Sequence, residues 1–381
     1  MIKVGFIGNI SVEWMGGFNY LKNLLFALDK LDIADVEIFV FIGKKTDTKV
    51  KNMFKKYATV IEDSLFDRKS LKWFFSKIEK KIFKTNSLLE NILKKHAVQI
   101  LSHSFITKFK NIRTINWIPD FQHIHLPEMF SQKEINERNK SFMCIIKNSD
   151  AVVVSSNDAM NDLNKFAPGY KHKTKVLKFV SQPHKIYSRV NDNDKDKLLK
   201  KYNLNDDFFY MPNQFWKHKN HITVFKAIAQ LKNEGVDVSL ACTGHLADYR
   251  NQDYFNDIKK FIQDNNLNEN IKILGVVDIE DVYRLIKISK AVINPSLFEG
   301  WSSTVEECKS VGKNMILSDI NVHREQYPNA TFFDRNNIES LKKSLKECKS
   351  ENQEKNIESL EIRTKRYANV YFDILKEMIN P

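Results

Sequence analysis

The sequence predicts an α/β protein with two doubly wound domains, each built on a parallel sheet covered by helices. The chain has 381 residues, more than one hydrophobic core usually serves, so two domains of ordinary size are expected. Short apolar runs of strand length alternate with segments of helical apolar spacing, as in parallel sheets. The alternation lapses into polar sequence after residue 180 and then starts again. We therefore predict domains at 1–182 and 206–362, a linker at 183–205, and a helix at 363–381 that packs back on the first domain.

The first domain opens with an apolar run at residues 2–8, which has strand length. Gly16 and Gly17 follow in a predicted loop, and leucines recur at helical spacing between Phe18 and Leu31. This order predicts a strand, a glycine loop and a helix. Further strands are expected at 36–42, 99–102, 113–118 and 151–155.

The second domain repeats the alternation more regularly. Strands are expected at 208–211, 238–243, 271–274, 291–295 and 315–318. Helices are expected at 221–232, 254–264, 279–289, 303–310 and 338–347, with a final helical spacing at 363–379. Ligands of such sheets bind at the carboxyl ends of the strands, so two facing domains would enclose a cleft there.

Charge is distributed unevenly along the chain. Sixty basic and 47 acidic residues give a net charge of +13. Residues 1–180 hold 30 basic and 18 acidic residues, or +12, whereas residues 181–381 are near neutral at +1. An anionic partner is expected for the first half, and nucleic acid, an anionic membrane surface and a phosphorylated substrate all fit.

Hydropathy and cysteine usage indicate a cytoplasmic protein that does not span a membrane. No apolar run reaches the roughly 18 residues of a spanning helix, and the first residues do not read as a signal peptide. The four cysteines, at positions 144, 242, 308 and 348, include no C-x-x-C pair. This argues against a zinc site and a disulfide framework, so reduced and mostly buried thiols are expected.

The stretch 65–84 combines an apolar face with interleaved lysines. The apolar face comprises Leu71, Phe74, Phe75, Ile78 and Ile82, flanked by Trp73 and Phe83. The lysines are Lys69, Lys72, Lys77, Lys80, Lys81 and Lys84. Such a helix can lie on an anionic membrane. The alternative is a surface helix that packs its apolar face on the sheet and solvates its lysines.

The stretch 294–307 carries the most chemistry. Glu299 lies just past a predicted strand, and Glu307 lies eight positions on, in the first turns of the next helix. Ser303 and Glu306 fit a capping box, so a helix is expected to begin near Ser302 to Thr304. A helix N-terminus binds phosphate well, because its free N–H groups and its dipole both favour anions. Two carboxylates beside a phosphate site suit the hydroxyls of an attached sugar.

These residues resemble the E-x7-E motif of retaining glycosyltransferases of family 4, which have the GT-B fold. Three other segments also resemble the corresponding segments of this family. They are the predicted loop at Gly16 and Gly17, the stretch 211–221 and the pair Leu274-Gly275. The motifs span nearly the whole chain in the family order. The resemblance implies two Rossmann-like domains facing a central cleft.

The resemblance also implies roles for individual residues. Glu299 would bind hydroxyls of the transferred sugar, Glu307 the ribose, and Lys219 the diphosphate. The other implied donor-binding residues are Gly16, Gly17, Asn213, Gln214, Gly244, Ser302, Ser303 and Thr304. No metal or other cofactor is implied, since the nucleotide-diphosphate sugar is a substrate. The alternative reading is that the carboxylates are ordinary surface or capping groups, Lys219 a solvated lysine, and the glycines a plain turn.

The chain departs from the family pattern at two places. Asn213 and Gln214 stand where the family usually has Gly-Arg, so Lys217 or His218 would have to replace the arginine. The family's His-Asp pair after the fourth strand of the first domain reads Pro-Asp here, and only Asp120 matches. His123 is the candidate to supply the missing histidine, so the predicted catalytic residues are Glu299, Asp120 and His123, with His103 a weaker candidate.

The predicted activity is transfer of a hexose-type sugar, with retention, to a hydroxyl of a saccharide or lipid-linked acceptor. The setting implied is bacterial surface-polysaccharide synthesis, with the enzyme on the inner face of the cytoplasmic membrane. A GT-B sugar-nucleotide 2-epimerase is the nearest alternative. A basic nucleic-acid-binding protein is a third, but it leaves Glu299 and Glu307 unexplained, and the chain shows no nucleic-acid motif.

Two metal-like patterns are set aside. The run Asp192-Asn193-Asp194 resembles a D-x-D metal motif but lies in the predicted linker, with no strand before it. His123 and His125 are spaced as a metal pair, yet no carboxylate or cysteine stands at ligand spacing.

Overall fold

The computed structural model describes residues 1–8, 15–31, 35–82, 86–105, 109–349 and 358–380. The chain divides into two compact units. Unit 1 comprises Met1–Asp120, Asn136–Val180 and Leu360–Pro381, and unit 2 comprises Phe121–Ile135 and Ser181–Ser359. No sequence pattern indicated that the segment 121–135 belongs with unit 2.

Unit 1 is built on a parallel sheet that has seven strands in the described residues. They are β1 (Ile2–Ile7), β2 (Val36–Ile42), β3 (Thr59–Glu62), β4 (Ile100–Ser102), β5 (Arg113–Trp117), β6 (Ala151–Val154) and β7 (Thr174–Val176). Their order is β3-β2-β1-β4-β5-β6-β7, so the winding reverses between β1 and β4. The sequence analysis does not predict the edge strands β3 and β7. They are three or four residues long and half-exposed, with no continuous apolar run.

Helices follow the strands of this sheet. They are α1 (Met15–Leu31), α2 (Thr48–Lys55), α3 (Leu71–Ile82), α4 (Ser87–Lys95), α6 (Gln132–Asn148) and α7 (Asn157–Phe166). The short helix α5 (Gln122–His125) and the first residues of α6 belong to unit 2. Helix α1 begins at Met15, so the predicted glycine loop is wrong and Gly16 and Gly17 form the first turn of the helix. Gly17 is buried there, and the helix buries Leu21, Leu24 and Leu25 beneath it. This packing outweighs the poor helix propensity of glycine.

Unit 2 has a parallel sheet of six strands in the described residues. They are β8 (Phe208–Met211), β9 (Ser239–Thr243), β10 (Ile271–Gly275), β11 (Val292–Asn294), β12 (Met315–Ser318) and β13 (Thr331–Phe333). Their order is β10-β9-β8-β11-β12-β13. Both faces are covered: Phe209 and Met211 enter one core, and Phe208 and Tyr210 enter the other. This is the two-sided burial expected of a parallel sheet.

Apart from α5, the helices of unit 2 match the prediction closely, with two additions. They are α8 (Asp192–Tyr202), α9 (His221–Asn233), α10 (Tyr254–Asp264), α11 (Ile279–Ile288), α12 (Ser303–Ser310), α13 (Asn321–Gln326) and α14 (Ile338–Glu347). Helix α8 occupies most of the stretch predicted as a linker. Asn191 and Asp194 form a capping box at its start, and Leu198 is buried against the unit 2 core. The acidic run 192–194 is therefore the first turn of a helix, where negative charge is favourable.

The last helix, α15 (Leu360–Ile379), belongs to unit 1 and packs against α1. Tyr371 Oη donates to Ser102 Oγ at the end of β4, 2.7 Å away. Among the described helices, none is long and apolar enough to cross a bilayer. All four thiols are free; Cys242 and Cys308 are core residues, whereas Cys144 is exposed, contrary to the expectation of mostly buried thiols.

Candidate functional site

An ion pair between Lys219 and Glu299 lies at the carboxyl ends of two neighbouring strands of unit 2. Lys219 closes the 3₁₀ turn Lys217–Lys219 after β8, and Glu299 lies between β11 and α12. The winding reverses between β8 and β11, and open α/β sheets bind ligands at such switch points. Lys219 Nζ donates to Glu299 Oε1 over 2.6 Å, and the side chains are only 17% and 9% exposed. The structure thus brings together two residues that the sequence motifs single out separately.

The Glu299 carboxylate is held in its ionised form. Burial by itself raises its pKa, but the charge and hydrogen bond of Lys219 outweigh burial and the pKa falls to about 2. Ser296 Oγ lies 2.7 Å from the same carboxylate oxygen and 2.6 Å from Asn294 Oδ1. A positioned, ionised carboxylate with several lone pairs is well suited to accept hydrogen bonds from sugar hydroxyls.

Several buried polar side-chain atoms of unit 2 have no hydrogen-bond partner among the described residues. Three of them are Asn213 Nδ2, His218 Nδ1 and His323 Nε2. Burial lowers the pKa of His218 to about 3 and that of His323 to about 4, so both rings are neutral at pH 7. His323 Nδ1 donates to the carbonyl oxygen of Ser318 at 2.9 Å, which leaves Nε2 as an acceptor. Buried polar atoms rarely stay unpaired, so these atoms point to a polar ligand or ordered water.

The N-terminus of α12 is built by side chains from two elements. Ser302 is the N-cap, and its Oγ accepts from the Val305 N–H. Gln326 accepts from the Ser302 N–H at 3.1 Å and donates to Glu306 Oε2 at 3.2 Å. The predicted capping box between Ser303 and Glu306 is therefore wrong. The cap lies one residue earlier, and the Glu306 carboxylate is engaged by Gln326.

The first helical N–H groups of α12, at Ser303 and Thr304, have no acceptor within the helix and lie at its positive end. Thr304 Oγ1 donates towards Asn213 Oδ1 at 3.3 Å, which ties the helix to the loop after β8. Glu307 lies three positions further along α12 and is half-buried. After burial, its charge is the next cause of the raised pKa of Tyr283.

Gly244, directly after β9, allows two loops of the site to meet. Its φ is +136°, and a Cβ there would lie 2.6 Å from the carbonyl oxygen of Asn213 and 2.9 Å from the Cα of Gln214. The Gly244 N–H donates to the carbonyl oxygen of Gly275 over 2.9 Å. Only glycine combines this backbone conformation with so close an approach. Asn213 is buried and Gln214 half-buried at this contact.

Sequence reasoning missed Arg250, in the loop after β9. Its guanidinium carbon lies 4.8 Å from the ring centre of Phe130 and 5.5 Å from that of Trp216. Its Nη1 donates to Gln122 Oε1 at 3.3 Å. Gln122 and Phe130 belong to the segment 121–135, so Arg250 fastens that segment to the rest of unit 2. The only sequence signal was an arginine shortly after Gly244.

Neither proposed replacement for the family arginine is a clear substitute. His218 is buried and neutral, so it brings no positive charge. Lys217 is charged but exposed, and its backbone N–H binds Asp248 Oδ2 at 3.0 Å. Lys219 is the cation that directly contacts Glu299.

The predicted acceptor-side residues fall in different units. Asp120 belongs to unit 1, where its Oδ1 accepts from Arg138 Nη2 at 2.7 Å. His123 is buried in the short helix α5, which belongs to unit 2. Two residues on, His125 stacks on Phe298 with ring centres 4.9 Å apart. Across the described ranges, no group of three or more His, Cys, Asp or Glu side chains could hold a metal ion.

At the switch point of unit 1, Gly16 and Gly17 start the helix after β1 and His103 follows β4. His103 Nε2 lies 3.0 Å from Tyr20 Oη, and Nδ1 lies 2.7 Å from Ser102 Oγ. Burial lowers the pKa of His103 to about 3. The ring is a neutral part of a buried hydrogen-bond network.

Comparison with solved structures confirms the predicted GT-B fold. A glycosyltransferase from Rickettsia africae superposes with a TM-score of 0.69 at 18% identity, covering 99% of this chain and 98% of that one. HepE of Anabaena, solved with UDP and glucose, gives 0.65 at 14% identity over the whole of both chains. The lipopolysaccharide outer core galactosyltransferase WaaB gives 0.60 at 14% identity over 99% of each.

The match to a sequence family lies in the second half of the chain. Residues 191–366 match the family described as glycosyl transferases group 1. This range includes Lys219, Glu299 and α12, and it begins at the cap of α8. Among curated proteins, no match is found.

Proposed function

We propose that this protein is a retaining, metal-independent glycosyltransferase. It moves a hexose-type sugar from a nucleotide-diphosphate donor to a hydroxyl of a saccharide or lipid-linked acceptor. The observation that carries the proposal is the buried Lys219–Glu299 pair at the switch point of unit 2, beside the N-terminus of α12. The group 1 match over residues 191–366 supports it.

The donor site has the two kinds of group that a nucleotide sugar requires. Lys219 and the N–H groups of Ser303 and Thr304 supply positive potential for a diphosphate. Glu299 and the neutral acceptor at His323 Nε2 supply acceptors for sugar hydroxyls. The solved neighbour HepE was crystallised with UDP and glucose, which is the ligand class proposed for this site.

The difficult step is departure of the anionic diphosphate from an oxocarbenium-like centre. Lys219 and the aligned N–H groups of α12 stabilise the charge that develops on the leaving oxygen, and losing one such donor typically costs about 3 kcal/mol. Glu299 holds the sugar by its hydroxyls while the acceptor hydroxyl attacks from the face that the diphosphate leaves. The leaving phosphate takes the acceptor proton, so no side-chain nucleophile is needed and the anomeric configuration is retained.

The remaining predicted residues take secondary roles in this proposal. Glu307 binds the ribose, and Gly244 lets its own loop approach the loop of Asn213 and Gln214, so that both loops contact the nucleotide. Asp120, positioned by Arg138, and His123 serve the acceptor side. The acceptor belongs to surface-polysaccharide synthesis on the cytoplasmic face of the membrane, and the likeness to WaaB supports that setting.

A thermal-shift panel of nucleotide sugars tests the donor site. A donor at 100 times its Kd stabilises the protein by about 2.7 kcal/mol. The shift is expected to vanish in Lys219→Met and persist in the control Lys217→Met, whose side chain is exposed on the same turn. Each variant is compared with its own ligand-free melting temperature, because Lys219→Met also unpairs Glu299.

Two outcomes would contradict the proposal. If no nucleotide sugar shifts the melting temperature, the donor site is misassigned. If the hit is converted to an epimerised free nucleotide sugar without any acceptor, the protein is an epimerase instead. Transfer to an acceptor by the wild type, lost in Lys219→Met, supports the transferase.

A further inference from the structure

Helix α3 turns its apolar face to solvent. The side chains of Leu71, Phe74, Phe75, Ile78 and Ile82 are between 38% and 79% exposed. No residue of the helix is buried. At 100° per residue these five positions fall within one arc about 100° wide, which is the width of the stripe that a soluble helix normally turns inward. The expectation that this face packs on the sheet is therefore wrong.

The opposite side of α3 is what holds it to unit 1. Ser76 Oγ donates to Asn86 Oδ1 at 3.0 Å, and Glu79 Oε1 accepts from the Ser87 N–H at 2.7 Å. Before the first turn, Ser70 Oγ accepts from the Trp73 N–H at 3.0 Å. These polar contacts fix the rotation of the helix about its own axis. The apolar arc, on the opposite side, therefore faces solvent. Phe83 and Lys84, also in the predicted amphipathic stretch, lie outside the described residues.

Lysines border the arc on both sides. By helical angle, Lys72 lies on one flank and Lys77 and Lys81 on the other, and α3 carries four lysines against one glutamate. Lys72 pairs with Asp63 at 2.8 Å, and Lys77 lies over the Trp73 ring. An exposed apolar stripe with cationic borders matches a bilayer surface, where acyl chains take the stripe and anionic headgroups take the lysines.

The basic side of α3 continues into a cavity of about 380 Å³ beneath the helix. Arg68, Lys77 and Lys80 are among its lining residues, together with Asn86 and Ser104. Residues 1–180 carry +12 of the chain's total net charge of +13. The cationic groups around α3 are thus part of a wider positive charge in the N-terminal half, which favours an anionic partner over a neutral one.

We propose that α3 docks this protein on a membrane surface that contains anionic lipid, with Leu71, Phe74, Phe75, Ile78 and Ile82 inserted among the acyl chains. The helix lies in the plane of the interface, as its short apolar stripe requires. This inference does not depend on the proposed activity, because it uses no residue of the Lys219–Glu299 site.

Vesicle co-sedimentation of the full chain tests the proposal. The protein is expected to bind vesicles of phosphatidylcholine and phosphatidylglycerol, and to bind pure phosphatidylcholine far less. Phe74→Ser with Phe75→Ser should lower the partition coefficient at least about 100-fold, since two large apolar side chains no longer leave water. Val276→Ser with Ile279→Ser, two exposed apolar residues of unit 2, is the matched control and should bind as wild type.

A second variant isolates the charge. Lys77→Gln, Lys80→Gln and Lys81→Gln together should weaken binding by about 100-fold, at about fivefold per lysine near an anionic surface. Added salt should weaken wild-type binding in the same direction. The control Lys165→Gln with Lys171→Gln replaces exposed lysines of unit 1 away from α3.

The proposal is overturned if the wild type does not bind anionic vesicles, or if the Phe74→Ser with Phe75→Ser variant binds them as tightly as the wild type. It is also overturned if the wild type is a dimer that the serine substitutions dissociate, because the face would then be an interface between copies. All substituted side chains are exposed, so unchanged thermal unfolding establishes that lost binding is not lost folding.

Discussion

Replacing Glu299 by glutamine is the sharpest test of the buried ion pair. The substitution keeps the shape of the side chain and removes its charge, leaving Lys219 buried without its counter-ion. Lys219 and Ser296 together fix the Glu299 carboxylate, whose pKa falls from its ordinary value of 4.5 to about 2. One pKa unit corresponds to about 1.4 kcal/mol. We therefore expect Glu299→Gln to lower the free energy of unfolding by roughly 3 kcal/mol at pH 7.

This expectation differs from the one for an exposed carboxylate. A carboxylate open to solvent in a cleft contributes little to folding, so its removal would cost little stability. The structure shows a carboxylate that is 9% exposed and paired. Breaking one partner of a buried pair is costly because the other charge is left uncompensated.

The pH dependence has a definite sign. Because the folded pKa lies below the unfolded one, the stabilisation is complete above about pH 4.5 and is lost as the pH falls towards about 2. The stability difference between wild type and Glu299→Gln should therefore shrink on acidification, by about 1 kcal/mol between pH 7 and pH 4.

Urea unfolding followed by tryptophan fluorescence measures both quantities. Asp207→Asn is the matched control, since Asp207 pairs with Lys290 at 3.0 Å but is 66% exposed, and it should cost under about 1 kcal/mol. In the double variant Lys219→Met with Glu299→Gln, much of the lost stability should return. Equal stability of Glu299→Gln and wild type at pH 7, with parallel pH profiles, would refute the reasoning.

Three further changes probe the rest of the structure. Gly244→Ala places a methyl group 2.6 Å from a carbonyl oxygen at a φ of +136°. Urea unfolding should therefore show a free energy of unfolding lower by at least about 2 kcal/mol. Gly169→Ala is the control and should be neutral, because the space around Gly169 is open. Arg250→Ala removes the guanidinium that fastens the segment 121–135, so limited proteolysis should cut that segment faster, and Arg250→Lys should restore little because lysine cannot stack in the same way. Ser302→Ala removes the N-cap of α12, so urea unfolding should show a loss of about 1 kcal/mol, and unchanged stability would mean that Gln326 alone caps the helix.

Local pattern was a reliable guide wherever an element buries a continuous apolar run or stripe. Strands β8 and β12 and helices α10, α12 and α14 have the bounds that periodicity predicts. Among the elements that were missed, β3, β13 and α13 span only three to six residues each. So short a segment shows too few repeats of either period to be recognised. The capped helix α8 was missed for a different reason, because its many charged residues resemble a linker.

The amphipathic helix α3 shows what apolar spacing does not predict, namely the direction in which the apolar face points. Its spacing indicated a helix with an apolar stripe, and that helix exists. Spacing does not determine which face turns inward, because that depends on contacts with residues outside the helix. Ser76 and Glu79 make those contacts with residues 86 and 87, and they turn the stripe outward.

The sequence by itself determined the α/β class, the two-domain plan and the positions of Glu299, Glu307 and Lys219 in loops and helix starts after strands. These follow from periodicity and capping, which act over a few residues. Only the tertiary structure decided that Lys219 and Glu299, 80 positions apart, form one buried pair, and that Gln326 rather than Ser303 engages Glu306. The reason is that parallel strands β8 and β11 are neighbours in the sheet but distant in the chain, so their carboxyl ends meet only when the sheet order is known.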